Sequence, residues 1–266
     1  MNEIRLVEGV QKIFFKAGGE WCYLWTPQDF RLGNPVPLVI HHHGARGYVK
    51  DGEADWIDTS SKKAFLDAVM RGAGCVIAGS HACGDHWGNS CAVDANNALL
   101  KLMVETEGID TDRLGLMGGG LGGALIWNSV LGPMIGKVKA VAVMQAVANL
   151  SDVIKAGKFK EPCLKAYNIS PDTIDEEAIE KIKSHDPMKK LQDLSKGDPL
   201  PKTAIYHGSK DMNIPAKTHA IPLAEALGNV GADVNLEIFG DVEHNVYAMG
   251  EEMEKRLENF FKALNR

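Results

Sequence analysis

The chain has no C-x-x-C pair, no apolar run long enough to span a bilayer and no excess of positive charge, and each absence removes a class of function. Its 5 cysteines, at 22, 75, 83, 91 and 163, are odd in number and scattered. That distribution reads as reduced thiols in a cytoplasmic protein. A formal net charge of −6 and a pI near 5.9 give the chain nothing to gain from approaching a phosphate backbone, so no nucleic-acid partner is expected. Without a span of roughly 20 apolar residues, no membrane partner is expected either. The opening Met1-Asn2-Glu3-Ile4-Arg5 lacks the basic and apolar stretches of a signal peptide. Internal repeats and low-complexity segments are also missing.

What remains is ordinary globular composition: 266 residues, 45% hydrophobic and 24% charged. The length fits one large domain with a modest insertion. Arg5 to Lys16 and Glu20 to Thr26 read as two antiparallel strands joined at Gly18-Gly19. Short apolar runs at Val36–His41, Cys75–Ala78, Arg113–Met117, Val138–Met144, Thr203–Tyr206 and Val234–Phe239 read as buried strands. Helical patterns lie between them, at Ser60–Met70, Ala92–Glu107, Ala124–Leu131, Pro215–Leu227 and Tyr247–Leu264. Such alternation predicts an α/β fold with a mostly parallel sheet covered on both faces. From Asn149 to Asp198 the pattern turns helical and polar, broken by Pro162, Pro171 and Pro187. The expected organisation is therefore a core of residues 1–146 and 201–266, with residues 147–200 inserted as a helical cap.

The chemistry centres on Gly118-Gly119-Gly120-Leu121-Gly122, between a strand and a helix. A nucleophile elbow, G-x-S-x-G, occupies that setting, and the string matches it at every position except the serine. The elbow residue is held in a strained backbone conformation that glycine adopts freely. Gly120 thus suits the backbone and lacks the nucleophile. The same string, extended to Gly123, also reads as G-x-G-x-x-G, a dinucleotide cradle. That motif belongs on the first strand–helix unit with an acidic residue about 20 positions on, and here the next strand ends Met144-Gln145-Ala146.

Asp211 falls in the loop after the Thr203 strand, and His244 just after the last strand. Nucleophile, acid, histidine is the chain order of a hydrolase triad, in which the acid fixes the imidazole tautomer and the histidine takes the nucleophile's proton. An N-cap would account for Asp211 alone, and a solvated loop histidine for His244 alone. Their joint placement at strand ends favours the triad. His43-Gly44 closes the early strand, so an oxyanion hole would be built from the N–H groups of Ala45 and Leu121. The rival at this place is a metal held by His41 and His43 with Asp85 or His86, but no metal-ligand spacing accompanies them. In the loop Ser80–Ser90, His86 and Trp87 read as rim of the substrate pocket with His43, or as a packed surface loop.

His43-Gly44, Asp112–Gly123, His207–Asp211 and Gly240–His244 together resemble the α/β-hydrolase superfamily, nearest its esterase and prolyl-oligopeptidase-like (dienelactone-hydrolase-like) branch. The resemblance covers nearly the whole chain. It implies an eight-stranded sheet, a cap and no cofactor, and does not by itself settle the substrate, since ester, thioester, lactone, peptide and sugar-acetate hydrolases share this frame. The expected partner is a small-molecule ester or other acyl substrate, no metal is expected, and assembly into a homo-oligomer is left open. In that branch the elbow reads G-G-S-x-G-G, which maps the serine onto Gly120. Without an Oγ no acyl-enzyme forms there. Either the nucleophile was removed so that substrate is trapped, or the pocket serves binding alone, or His244 activates water directly.

Overall fold

The computed structural model describes residues 4–265. Eight strands form one sheet: β1 (Lys12–Ala17), β2 (Glu20–Trp25), β3 (Val36–His42), β4 (Val76–Ser80), β5 (Ile109–Gly119), β6 (Val138–Met144), β7 (Lys202–Gly208) and β8 (Val234–Phe239). Their order across the sheet is β1-β2-β4-β3-β5-β6-β7-β8. β1 and β2 pair antiparallel with Ala17 opposite Glu20, and β2 meets β4 antiparallel; the remaining neighbours are parallel. Gly18 and Gly19 close the hairpin with φ of 59° and 89°, the positive pair that a two-residue turn requires. This is the α/β-hydrolase fold expected from the sequence.

The central strands carry apolar residues on both faces because helices cover both. Along β3, Leu38 and Ile40 enter one core and Val39 the other, as the alternation of side chains along a strand demands. On the first face lie α2 (Ser90–Val104) and α3 (Gly122–Val130) with Leu99, Met103, Trp127 and Val130. On the second lies α1 (Ser60–Ala73) with Phe65, Leu66 and Val69. Between β6 and β7 the chain forms α4 (Leu150–Ala156), α5 (Lys160–Ala166) and α6 (Asp175–Ile182), and no strand of the sheet among the described residues. These helices bury Leu150, Ile154, Cys163, Leu164 and Ile182 together with Trp87 and Leu121, over the start of α3. α7 (Ala220–Asn229) returns to the first face and α8 (Glu251–Phe261) to the second. No helix among the described residues is long and apolar enough to cross a membrane.

Three expectations need correction. β1 starts at Lys12 rather than Arg5, because Gly9 turns with φ 86° and Thr26 Oγ1 donates to Gly9 O while accepting from Gln11 N–H. The helix expected from Pro215 starts at Ala220, since His219 takes a non-helical conformation (φ −123°, ψ −70°). Its buried Nδ1 accepts the N–H groups of Ala148 and Asn149 at 3.1 and 3.2 Å, so a tertiary contact overrides the local pattern. The last helix is likewise divided at Gly250, whose φ is 52°.

The cysteines also depart from the reading of five reduced thiols. Cys83 and Cys91 form a disulfide, while Cys22, Cys75 and Cys163 are free and buried. The loop after β4 folds back on the first turn of α2 and brings the two Cα atoms to 6.4 Å. Burial pushes the Cys163 thiol up to about 12. Thiol titration of denatured, unreduced protein is expected to find 3 thiols, those of Cys22, Cys75 and Cys163. A count of 5 would show that the bridge does not form.

Candidate active site

The site begins where β5 runs into α3. The glycines around position 120 are explained by close approach. A β-carbon on Gly118 or Gly122 would lie 2.5 or 2.6 Å from His42 O. One on Gly119 would collide with the Tyr247 hydroxyl, and one on Gly123 with Ala146. Gly120 is different: the nearest heavy atom to its virtual β-carbon is Gly44 Cα, at 3.8 Å, and its φ is +53°. The position has room for a side chain and a backbone that disfavours one. Its N–H donates to Met144 O (3.3 Å), and its carbonyl accepts from Gly123 and Val147 N–H (3.0 and 2.8 Å).

Asp211 and His244 come together from loops after β7 and β8. His244 Nδ1–H donates to Asp211 Oδ2 at 2.7 Å. The same oxygen lies 3.2 Å from His207 Nε2, which also donates to Ile214 O at 2.6 Å. Asp211 Oδ1 accepts the N–H groups of Asn213 and Ile214, each at 2.9 Å. The carboxylate thus caps its own loop and orients His244 at once. Burial by itself would raise the Asp211 carboxyl; the hydrogen bonds from His207, His244 and Ile214 outweigh it and hold the group well below the usual carboxylate range.

Gly120 and His244 line the same open cleft of about 860 Å³, with Ala45, Trp56, Phe65 and Gln145. Neither the Ala45 nor the Leu121 N–H has a hydrogen-bond partner among the described residues. Asp85 Oδ1 accepts the N–H of Arg46 at 2.7 Å, which pins the turn that carries Ala45. Arg46 holds a left-handed φ of 62° there.

The expected pocket residues His43, His86 and Trp87 do not line this cleft; all three are buried behind it. The ring nitrogens of His43 lie 2.8 Å from Gly44 O and 2.9 Å from His81 O. His86 Nδ1 accepts the Gly88 N–H at 3.0 Å, and burial pushes its imidazole well below the ordinary range. Trp87 packs on Phe159, with ring centroids 6.0 Å apart, and its carbonyl accepts the Tyr167 hydroxyl. The polar and aromatic content of the loop Ser80–Ser90 therefore braces the turn at Ala45 and Arg46 against the helices that follow β6. His41 packs away from His43, on Trp56 (4.2 Å) and 3.3 Å from the Tyr23 hydroxyl. No group of three metal-ligating side chains is assembled among the described residues.

Sequence reasoning did not single out Trp56, Phe65, Gln145 or Tyr247. The three aromatics interlock, with Tyr247 edge-on to Trp56 at 5.3 Å and to Phe65 at 5.1 Å. Only Gln145 left a local signal, a polar residue closing an apolar strand at the carboxyl edge of the sheet, where ligands bind in open α/β folds.

The model of the prolyl oligopeptidase family (peptidase S9) matches residues 79–265. No curated protein matches the chain in sequence. Among solved structures, oligopeptidase B from Leishmania major superposes with a TM-score of 0.72 at 13% identity, covering 96% of this chain and 36% of that one. Dipeptidyl peptidase 4 from Porphyromonas gingivalis gives 0.67 at 16%, covering 95% and 35%. Carboxyl esterase 2 from Tuber melanosporum gives 0.70 at 14%, covering 98% and 89%. The chain spans about a third of the length of these peptidases and most of the esterase's. At such identities the likeness speaks for the fold, and the family rests on the sequence match, which covers more than half of the chain: the chain belongs to the prolyl oligopeptidase family.

Proposed function

We propose that the chain carries the site of a carboxylic ester hydrolase from which the nucleophile is missing. Gly120 stands at the elbow, Asp211 and His244 form the acid–base pair, and the N–H groups of Ala45 and Leu121 are the oxyanion donors. One observation carries the reading: a residue with left-handed backbone and free space at the strand–helix junction opens on the same cleft as a histidine held by a buried carboxylate. With His244 Nδ1–H committed to Asp211, Nε2 is the nitrogen left to act on substrate. In the chain as it stands Nε2 takes a proton from water, the resulting hydroxide adds to the acyl carbon, and the proton passes to the leaving group. Without a covalent intermediate this route is slow. The cleft binds small acyl compounds, and residues 147–200 act as a cap that reaches it through Phe159.

The cytoplasmic placement expected above rested on reduced thiols, and the Cys83–Cys91 bridge removes that ground.

A fluorophosphonate probe tests the site. Attack by an activated hydroxyl forms an O–P bond and expels fluoride. Gly120→Ser is expected to gain one adduct at position 120, seen by peptide mass spectrometry, while the original chain gains none. Labelling of the original chain at Ser209 would overturn the assignment of the elbow. An unlabelled Gly120→Ser that still binds acyl ligands would favour a non-catalytic ligand-binding protein.

A further inference from the structure

We infer that Gln145 is a specificity-determining residue, whose amide nitrogen selects substrates bearing an oxygen acceptor on the acyl chain beyond the reacting carbonyl. The inference rests on the cleft being an acyl site. Gln145 is buried, follows β6, and lines the cleft beside Gly120 and His244. Its neighbours in sequence grip the elbow: Met144 O accepts the Gly120 N–H, and Val147 N–H donates to Gly120 O. Its own Oε1 accepts the N–H of Val246, two residues beyond His244, at 2.7 Å. The side chain therefore spans from the elbow to the histidine loop.

That bond also fixes the orientation of the amide. A backbone N–H needs an acceptor, so Oε1 faces Val246 and Nε2 faces the other way. Nε2 has two hydrogens and no hydrogen-bond partner among the described residues. It is also absent from the buried unpartnered atoms, so it is open to a molecule in the cleft. The backbone at Gln145 has φ +42°, a conformation that residues with side chains adopt rarely and that clusters at ligand sites. Its N–H is held in place by Tyr206 O at 2.8 Å. A donor with a fixed direction, beside the reacting position and lacking any acceptor of its own, calls for an acceptor on the ligand. A purely apolar acyl chain leaves it desolvated and unpaired.

Methyl 3-methoxypropionate and methyl pentanoate match in length and shape, and only the first carries an ether oxygen in the acyl chain. Both are titrated into the original chain by tryptophan fluorescence, to which Trp56 in the cleft wall contributes. The ratio of affinities, ether over alkyl, is expected to fall about threefold to tenfold in Gln145→Met, the effect of losing one hydrogen bond. Gln145→Glu keeps an acceptor for the Val246 N–H and removes the donor, and the ratio should fall there as well. A fall in Gln145→Met alone would mean that Gln145 only positions the histidine loop, and an unchanged ratio in both variants, or no saturable binding of either ester, would equally overturn the inference. The p-nitrophenyl esters of the same two acids are then compared in Gly120→Ser with and without Gln145→Glu. If the binding ratio shifts while Gly120→Ser releases no nitrophenolate, the selectivity of Gln145 stands and the hydrolase reading fails.

Discussion

Gly120→Ser should raise the hydrolysis of short p-nitrophenyl esters by about 10⁴-fold or more, the order lost when a serine hydrolase loses its nucleophile. The introduced hydroxyl would sit where the nearest heavy atom to the β-carbon is 3.8 Å away, so no steric obstacle stands against it. His244 takes its proton, and Asp211, held ionised by its hydrogen bonds, stabilises the imidazolium that results. In the proposed site the oxyanion would form between the N–H groups of Ala45 and Leu121, which have no hydrogen-bond partner among the described residues. The same change places a β-carbon on a backbone of φ +53°, which should cost about 1–3 kcal/mol of stability. Gly120→Ala separates the two effects: it should lose the same stability and gain no activity. Rate and thermal unfolding are measured on all three forms. A Gly120→Ser protein that loses stability like Gly120→Ala but hydrolyses nothing would show that the position lacks working partners. One that loses no stability would show that residue 120 is not held in the elbow conformation.

The parts of this site that were legible in the sequence are those placed at fixed distances from strand ends. A turn that must pass from strand to helix in four residues needs small residues, so Gly118–Gly123 announces itself. Asp211 and His244 are legible because each follows an apolar strand by a few residues. The walls of the cleft were not legible. Trp56 comes from a one-turn helix, Asp55–Asp58, Phe65 from α1, and Tyr247 from a turn after His244. Nothing local distinguishes them from core aromatics, and what makes them a wall is contact across nearly 200 residues of chain. The loop Ser80–Ser90 misled for the opposite reason. His86 and Trp87 look like binding groups, yet in the loop that carries the Cys83–Cys91 bridge both pack in the interior. Composition recorded the polarity of that loop but not the direction of its side chains. The two-faced core, by contrast, followed from the apolar strands and the helices between them.

Lowering the pH from about 6.5 to 4 should destabilise the protein through its buried histidines. His41, His42 and His86 are 3%, 2% and 0% exposed. Burial is the main cause that pushes all three down, His42 to about 4. Among the described residues His41 Nε2 has no hydrogen-bond partner, and an added proton on His86 would fall on Nδ1, which already accepts the Gly88 N–H. In the unfolded chain each imidazole titrates near 6.5. The folded values lie below that, so the unfolded state binds more protons as the pH falls. Stability is then fully present above about pH 6.5 and is lost progressively on acidification, His42 alone accounting for up to about 3 kcal/mol by pH 4. Asp211 acts in a separate window. Its folded value is depressed below the unfolded carboxylate near 3.9, so its contribution is present above that pH and is lost only below it. Urea unfolding at pH 7.5, 6.5, 5.5 and 4.5 should show a flat first step and a steepening fall, with a slope of up to about 1.4 kcal/mol per pH unit for each histidine. His42→Leu removes one titrating group without adding a charge and should make the fall shallower, whatever it does to stability at pH 7.5. A free energy of unfolding that stays constant down to pH 4.5 would mean that these imidazoles are protonated, or reach water, in the folded state.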